Sequence, residues 1–550
     1  MLRPGFGNST TGQLVFLTVL CASLYFFDLG GRDLWDIDEG MHAVIAKNML
    51  LTGDWVTPIF NGEAFLDKPP LFNWLTALSF LVFGTTEFAA RLPAALAGLG
   101  TVLVTYGLAR RLYGKATGFI AGIVLATSLE MIIVSRIVQY DAPFIFFSTL
   151  AMYFYVRSTE DAENSRASVL LFYGAAGLAA LTKGPIGLFI PLVVIGAHSL
   201  ITRRRRYISQ FVSPLGLLTF AAVVVPWYVL MERANPGYLY YFAVHQHFAN
   251  LIGGSGIMQP RHAEPFYYFV PVLFAGLLPW SLLLPQAIAR AMTKDRSAEA
   301  LFLVCWVACI FLGFSIAASK LSTYILPMFP GAAILVARYW QESMWEPLKD
   351  ARRGLLLGCA ALTLVLSISA AYVIVEDPWA YWEFRSGIIW KRFELFMVLM
   401  TVLVVIIGAL AWTKRQRAAF VGMSLFSPIL IAYVSIALVP GIDAYRGAKS
   451  IAQDIDTMLA PGEKLYSAGQ LLDSAMFYTG REAVKLQSEA ELHDYLDTEE
   501  RRFVIVRSRA RSSDAAFKGD YHVLKVVGNK AIVSNQPLTA ASAESAVQPD

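Results

Sequence analysis

Thirteen long apolar stretches recur along this chain, and they constrain its fold more than any other feature. They lie near residues 12–28, 88–109, 116–134, 142–157, 167–182, 185–202, 212–231, 266–289, 298–318, 323–340, 354–375, 393–412 and 418–439. A helix of about 20 apolar residues crosses the hydrocarbon core of a bilayer, so each stretch is read as a membrane span. The first, GQLVFLTVLCASLYFFD, has no small-residue cleavage site after it and reads as an uncleaved span rather than a signal peptide. Residues 71–83 (LFNWLTALSFLVF) are apolar but too short to cross upright, which suits a re-entrant or interfacial helix.

Composition agrees. Of 550 residues, 56% are hydrophobic and 16% charged, with a mean hydropathy of +0.53. A water-soluble chain of this length needs more charge to cover its surface, so disorder, fibrous repeats and an ordinary cytosolic enzyme are excluded. The net charge of +4 is too small to imply a nucleic-acid partner. Cys21, Cys305, Cys309 and Cys359 all lie in apolar stretches and read as packing residues, not as a disulfide framework.

Alternate loops carry the basic residues: Arg110, Arg111 and Lys115; Arg157 and Arg166; Arg203 to Arg206; Arg290, Lys294 and Arg296; Arg338, Lys349, Arg352 and Arg353; Lys414, Arg415 and Arg417. By the positive-inside rule these loops are cytoplasmic. Thirteen spans then place two large loops, 29–87 and 232–265, and everything after residue 440 on the outer side. Residues 441–550 read as a small α/β domain. Strands are expected at Lys464–Gly469, Ala475–Gly480, Ala483–Gln487, Phe503–Arg507, Tyr521–Val527 and Ala531–Ser534, and helices at Asp443–Leu459 and Glu489–Leu496.

The informative residues are those that topology does not explain. Lys68, Arg91, Arg136, Lys183, Arg261 and Lys320 lie in outer loops or near outer span ends. Ionisable groups at membrane depth have a partner or a substrate, and several cations on one side suggest a bound phosphate. Asp36, Asp38 and Glu39 precede a helical pattern, and helix capping accounts for only one of them. Asp141 lies in a short outer turn, RIVQYDAPF. Asp38 and Asp141 are expected to meet at the outer mouth of the bundle and face the cations. His245, His247 and His262 provide HxH and HxE spacing in the second loop, and with Asp67 they are the candidate ligands for a divalent metal such as zinc.

The stretch DEGMHAVIAKNMLLTGDWVTPIFNGEAFLDKPPLFNWLTALSFLVFGTTEFAARLPAAL resembles the first outer loop and second span of the large-loop (GT-C) membrane glycosyltransferases. Within them it is most similar to the protein mannosyltransferase-like group, and there to the aminoarabinose lipid A transferases. The resemblance continues through RIVQYDAPFIFF, LAALTKGPIGLFIP, QPRHAEPFYYF and SKLSTYILPMFP, covering most of residues 30–340. It implies a GT-C fold of about 13 transmembrane helices with a small periplasmic α/β domain, in a bacterial inner membrane. The implied donor is an undecaprenyl-phosphate sugar and the implied acceptor a phosphate of lipid A, a modification tied to polymyxin resistance. It further implies catalytic roles for Asp38 and Asp141 and substrate binding by Glu39, Lys68, Lys183, Arg261, Lys320 and Tyr324. Some members have Glu before the loop lysine where this chain has Asp67.

The chemistry distinguishes two acceptors. A lipid monophosphate leaves with negative charge, which cations stabilise without an obligatory metal. A protein hydroxyl would need Asp38 as a general base, as in a mannosyltransferase, the alternative reading. An acceptor phosphate is already anionic, leaving the carboxylates to hold an amino sugar's ammonium. A single displacement inverts the anomeric carbon. A secondary transporter also buries charges, but no inverted repeat occurs and the charges gather at one face.

Overall fold

A computed structural model describes residues 9–36, 38–160, 165–204, 208, 211–248, 263–345, 349–376, 387–468, 472–507, 521–527 and 530–537. Helix α1 (Thr10–Cys21) continues through a π turn to Phe26. The first large loop contains α2 (Asp38–Thr52), a hairpin of β1 (Ile59–Phe60) and β2 (Glu63–Ala64), and α3 (Leu71–Phe83). The bundle proceeds through α4 (Glu87–Tyr113), α5 (Lys115–Ala126), α6 (Leu129–Val134), α7 (Asp141–Glu160), α8 (Ser165–Lys183) and α9 (Ile186–Thr202). Its later helices span Pro214–Ala234, Phe269–Gly276, Leu284–Arg290, Ala298–Ile316, Phe329–Trp345, Lys349–Glu376, Gly387–Trp412 and Gln416–Tyr433.

Helix thus lies within every one of the apolar stretches. Among the described residues, six helices are long and apolar enough to cross a membrane on these grounds alone: Glu87–Tyr113, Ser165–Lys183, Pro214–Ala234, Ala298–Ile316, Lys391–Trp412 and Gln416–Asp443. The protein is a multi-pass membrane protein. Its periphery presents apolar side chains outward, among them Val19, Leu218, Leu312, Val398 and Val405, as a lipid-facing surface requires. The main packed cluster of the helical bundle includes Tyr25, Val102, Tyr155, Phe172, Trp280, Phe302 and Trp306.

The C-terminal segment forms a five-stranded sheet in the order β4-β3-β5-β7-β6. Its strands are β3 (Leu465–Ala468), β4 (Ala483–Leu486), β5 (Phe503–Arg507), β6 (His522–Val527) and β7 (Lys530–Ser534). β3 runs parallel to β4 and β5, while β7 is antiparallel to β5 and β6. Two sequence expectations are corrected here. Residues 475–480 are not a strand but part of the helix Asp473–Thr479, which Gly480 ends in the left-handed conformation (φ 71°). The helix expected over 443–459 breaks at Gly447, whose Cα faces the Asp33 carboxylate; Asp33 also accepts from the Lys449 N–H (3.3 Å) and so starts a second helix, Lys449–Met458.

This segment shares a core with the first large loop. Ala43, Ile45, Phe72 and Phe80 pack with Ile451, Ile455, Phe477, Ile505 and Ile532. The β1–β2 hairpin turns at Asn61-Gly62, both with positive φ, as a two-residue hairpin demands. Asn61 then exchanges two hydrogen bonds of 2.8 Å with the backbone of Ala483, seating the hairpin against β4.

Candidate active site

Asp38 and Glu39 are consecutive on α2, so their side chains diverge by about 100° around the helix. Asp38 is exposed, and its Oδ2 accepts from Gln139 Nε2 (3.2 Å). Glu39 is 5% exposed and turns the other way. Its carboxylate accepts from Arg91 Nε (2.8 Å), Arg32 Nη1 (2.8 Å), and the N–H groups of Val138 (3.0 Å) and Trp35 (3.1 Å). Burial alone would raise its pKa; the guanidinium groups of Arg91 and Arg32 outweigh that and bring it down to about 2. Glu39 therefore is not beside Asp38 at a substrate surface, as the sequence suggested, but anchors the loop. A carboxylate taken this far from water needs both cations.

Arg91 belongs to the same anchor, donating also to the carbonyls of Leu29, Arg32 and Asp33. Arg136 donates to the carbonyls of Leu24 and Phe27 (2.9 and 2.8 Å). These two cations do not join the expected phosphate cluster. Lys320 Nζ donates to the carbonyls of Ala317 (2.6 Å) and Glu264 (2.8 Å), holding the end of the second loop where Ala263 bridges Ser319. Arg261 and His262 lie outside the described residues.

The remaining groups gather around Tyr140, which the sequence reading passed over. Lys68 Nζ stands 5.1 Å from the centre of its ring, and Lys183 Nζ stands 5.2 Å from the same centre. Lys183 also faces the rings of Phe144 and Tyr324, each at 5.3 Å, and forms an ion pair of 2.5 Å with Asp141 Oδ1. Burial, followed by the charges of Asp141 and Asp38, raises the Tyr140 pKa well above its ordinary value, so the phenol stays protonated. Its electrostatic neighbours also include Asp67 and Tyr324. One aromatic ring thus collects Asp38 and Lys68 from the first loop, Asp141 from the start of α7, Lys183 from the end of α8 and Tyr324 from the turn before Phe329. The charges of Asp38 and Asp141 both act on this ring, and Asp141 is paired with Lys183 instead of facing the cations as a bare acid.

His42 completes the floor. It lies one turn after Asp38 on α2 and is 2% exposed, with its ring set edge-on to Phe65, Phe72 and Tyr140. Burial lowers its pKa to about 4, against an opposing effect of the neighbouring Asn73 side chain and with a further lowering from the Lys68 charge; at neutral pH the imidazole is uncharged. Asp473, from the C-terminal segment, brings a further carboxyl near Asp38. Burial and then the charges of Asp36 and Asp38 push it up to about 7. Asp36 holds it there by accepting from Ser474 N–H (2.7 Å) and Oγ (2.6 Å).

Asp67 Oδ1 accepts from the Tyr241 hydroxyl (2.7 Å), and His245 stacks on the Tyr241 ring. This joins the two large loops through Asp67. Among the described residues, no group of three or more His, Cys, Asp or Glu side chains is arranged to hold a metal ion.

Residues 67–229 match the family model described as dolichyl-phosphate-mannose-protein mannosyltransferase. The fold superimposes on ArnT from Cupriavidus metallidurans with a TM-score of 0.79 at 21% identity, over 98% of this chain and 100% of that one. It also matches the oligosaccharyltransferase AglB from Archaeoglobus fulgidus, with a TM-score of 0.52 at 13% identity over 90% and 69% of the two chains. The fold is therefore that of the GT-C glycosyltransferases. An undecaprenyl phosphate-alpha-4-amino-4-deoxy-L-arabinose arabinosyl transferase from Pseudomonas aeruginosa is 31% identical over 428 residues, 77% of this chain and 74% of the relative. A protein of the same description from Aeromonas salmonicida is 33% identical over 368 residues, 64% of this chain and 66% of its own length, slightly under two thirds. The chain belongs to the family of these arabinosyl transferases.

Proposed function

We propose that this protein transfers 4-amino-4-deoxy-L-arabinose from undecaprenyl phosphate to phosphate groups of lipid A, at the periplasmic face of the bacterial inner membrane. The relatives' descriptions supply the donor. The observation that carries the reading to this chain is the pair of lysines, Lys68 and Lys183, on one tyrosine ring beside Asp141 and Asp38.

In the reaction the bond from the anomeric carbon to the carrier phosphate breaks, and a lipid A phosphate oxygen forms the new bond from the opposite face. The carrier departs as a monophosphate with added negative charge. Lys68, half-buried at the outer boundary, stabilises that charge as it develops, together with Arg261. The acceptor needs no base because its phosphate is ionised, so Asp38 orients groups rather than removing a proton. The donor has no diphosphate for a divalent ion to grip, and the reaction as proposed requires no metal.

The same reading places thirteen helices across the bilayer, with residues 441–550 as a periplasmic domain against the first loop. The basic loops at one end of the bundle support it.

Mass spectrometry of lipid A from cells with and without the protein tests the proposal. A pentosamine-sized increment on a phosphate, present only with the protein, is the expected result. Unchanged lipid A together with a new hexose on protein would instead favour the mannosyltransferase reading.

A further inference from the structure

Glu130 is a buried acid that neither the anchor nor the proposed displacement uses. It lies in the first turn of α6 and is 9% exposed. Its Oε2 has no hydrogen-bond partner among the described residues, while the carboxyl faces Ser322. The same holds for the second oxygen of Asp141: Lys183 occupies Oδ1, and Oδ2 is buried and unpartnered among the described residues. Asp141 is 1% exposed. The two carboxyl groups are close enough to interact electrostatically, and Tyr324, two residues beyond Ser322 on the same turn, joins Asp141 to the Lys183 cluster.

The backbone makes room for this carboxylate. A Cβ on Gly276 would stand 2.1 Å from Glu130 Oε2 and 3.0 Å from Glu130 Cβ, so the carboxylate lies in the space that this glycine leaves open. Buried acceptors without donors are costly, and a fold retains them where a ligand supplies the missing donors. Lys183 pairs with one of the two carboxyl groups, which leaves the other without a cation and two oxygens open among the described residues. An ammonium group supplies one positive charge and three N–H donors.

We propose that Glu130, with the free oxygen of Asp141, binds the protonated amine of the transferred sugar. Glu130 is then the residue that selects an amino sugar over a neutral one. This rests on the arabinosyl transfer proposed above and adds the residue that reads the sugar.

The test compares wild type, Glu130→Gln and Glu130→Asp with two donors: the aminoarabinosyl polyprenyl phosphate and its N-acetylated analogue, which has no positive charge. Binding of sugar-free undecaprenyl phosphate is measured alongside, as a check that each variant is folded and holds the carrier. Glu130→Gln should raise KM for the free-amine donor by about 30-fold or more, the lower end of the scale for removing one partner of a buried charge pair, with a smaller change in kcat. Glu130→Asp, which keeps the charge, should recover part of that loss. Carrier affinity should stay at the wild-type value, and the N-acetylated donor should be poor for every form, with no further loss in Glu130→Gln. An unchanged KM in Glu130→Gln, or equal losses with both donors, would overturn the inference while leaving the transfer reaction in place. A wild-type protein that binds the carrier but transfers no aminoarabinose would overturn the reaction, and the amine as ligand with it.

Discussion

Lys183 Nζ meets Asp141 Oδ1 at 2.5 Å, with side chains only 5% and 2% exposed, at the point where α8 ends and α7 begins. Each residue alone would be a buried, uncompensated charge. Removing one partner of such a pair costs about 3–5 kcal/mol, because the other is left stranded. Lys183→Met and Asp141→Asn should each lower the unfolding temperature in detergent, and the double variant should be more stable than the sum of the two losses predicts. Strictly additive losses would show that the two charges do not support one another.

Glu39 gives a prediction with a defined sign. Its folded pKa of about 2 lies below the ordinary 4.5, so its contribution is present above pH 4.5 and is lost as pH falls toward 2. That shift is worth about 3 kcal/mol. Glu39→Gln should therefore be destabilised by a nearly constant amount between pH 5 and 8. The gap to wild type should narrow only below about pH 4.5. A gap that changes between pH 6 and 8 would assign the effect to another group.

His42 runs in the opposite chemical sense. Its folded pKa of about 4 lies below the ordinary 6.5, so the unfolded chain takes up a proton before the folded protein does. Wild-type stability should fall as pH drops from 6.5 toward 4. His42→Phe removes that loss, and relative to wild type it should gain about 2 kcal/mol between pH 7 and pH 5. Thermal unfolding at the two pH values measures it, and parallel curves for the two proteins would contradict a buried neutral imidazole.

Lys68 bears on the chemistry. Lys68→Ala should reduce transfer by about 10² or more, as loss of a charge-stabilising donor does elsewhere. Its half-buried place beside Tyr140 makes folding insensitive to the change. Turnover of labelled donor in detergent is the measurement, and near-normal activity would remove Lys68 from the site.

Part of this site was legible because membrane proteins restrict charge: Asp141 and Lys183 stood out as ionisable groups at span ends, and Asp38 and Lys68 as loop charges that neither topology nor helix capping explains. Which charge meets which was not legible. Glu39 and Asp38 are neighbours in sequence, yet the turn of α2 sends one to Arg91 and the other to Gln139. Tyr140 and His42 carry no charge signal and become central only when α2, α7 and α8 converge. Glu130 looked like part of an apolar run. Asp473 reaches Asp38 across more than 400 residues of sequence, through a helix whose apolar content read as a strand.

That last contact makes Gly40 a test of whether the C-terminal segment shapes the site. Gly40 lies inside α2, where alanine favours an isolated helix by about 1 kcal/mol. Here a Cβ would stand 2.4 Å from Ser474 N and 2.7 Å from the Asp473 carbonyl carbon, both backbone atoms that no rotamer change can move. The same interface is held by Asp36 on Ser474, by Lys47 Nζ on the Phe477 carbonyl (2.8 Å) and by the Leu34 N–H on the Tyr478 hydroxyl (2.9 Å). Overpacking of this kind costs about 1–3 kcal/mol, so the clash outweighs the helix gain. Gly40→Ala should make residues 449–534 more sensitive to protease and lower turnover by moving Asp473 away from Asp38. Lys47→Met removes one hydrogen bond of the interface without a clash and should do both to a smaller extent. A Gly40→Ala protein with raised unfolding temperature, wild-type protease resistance and full turnover would show that the helix gain wins and that the segment does not set the geometry at Asp38.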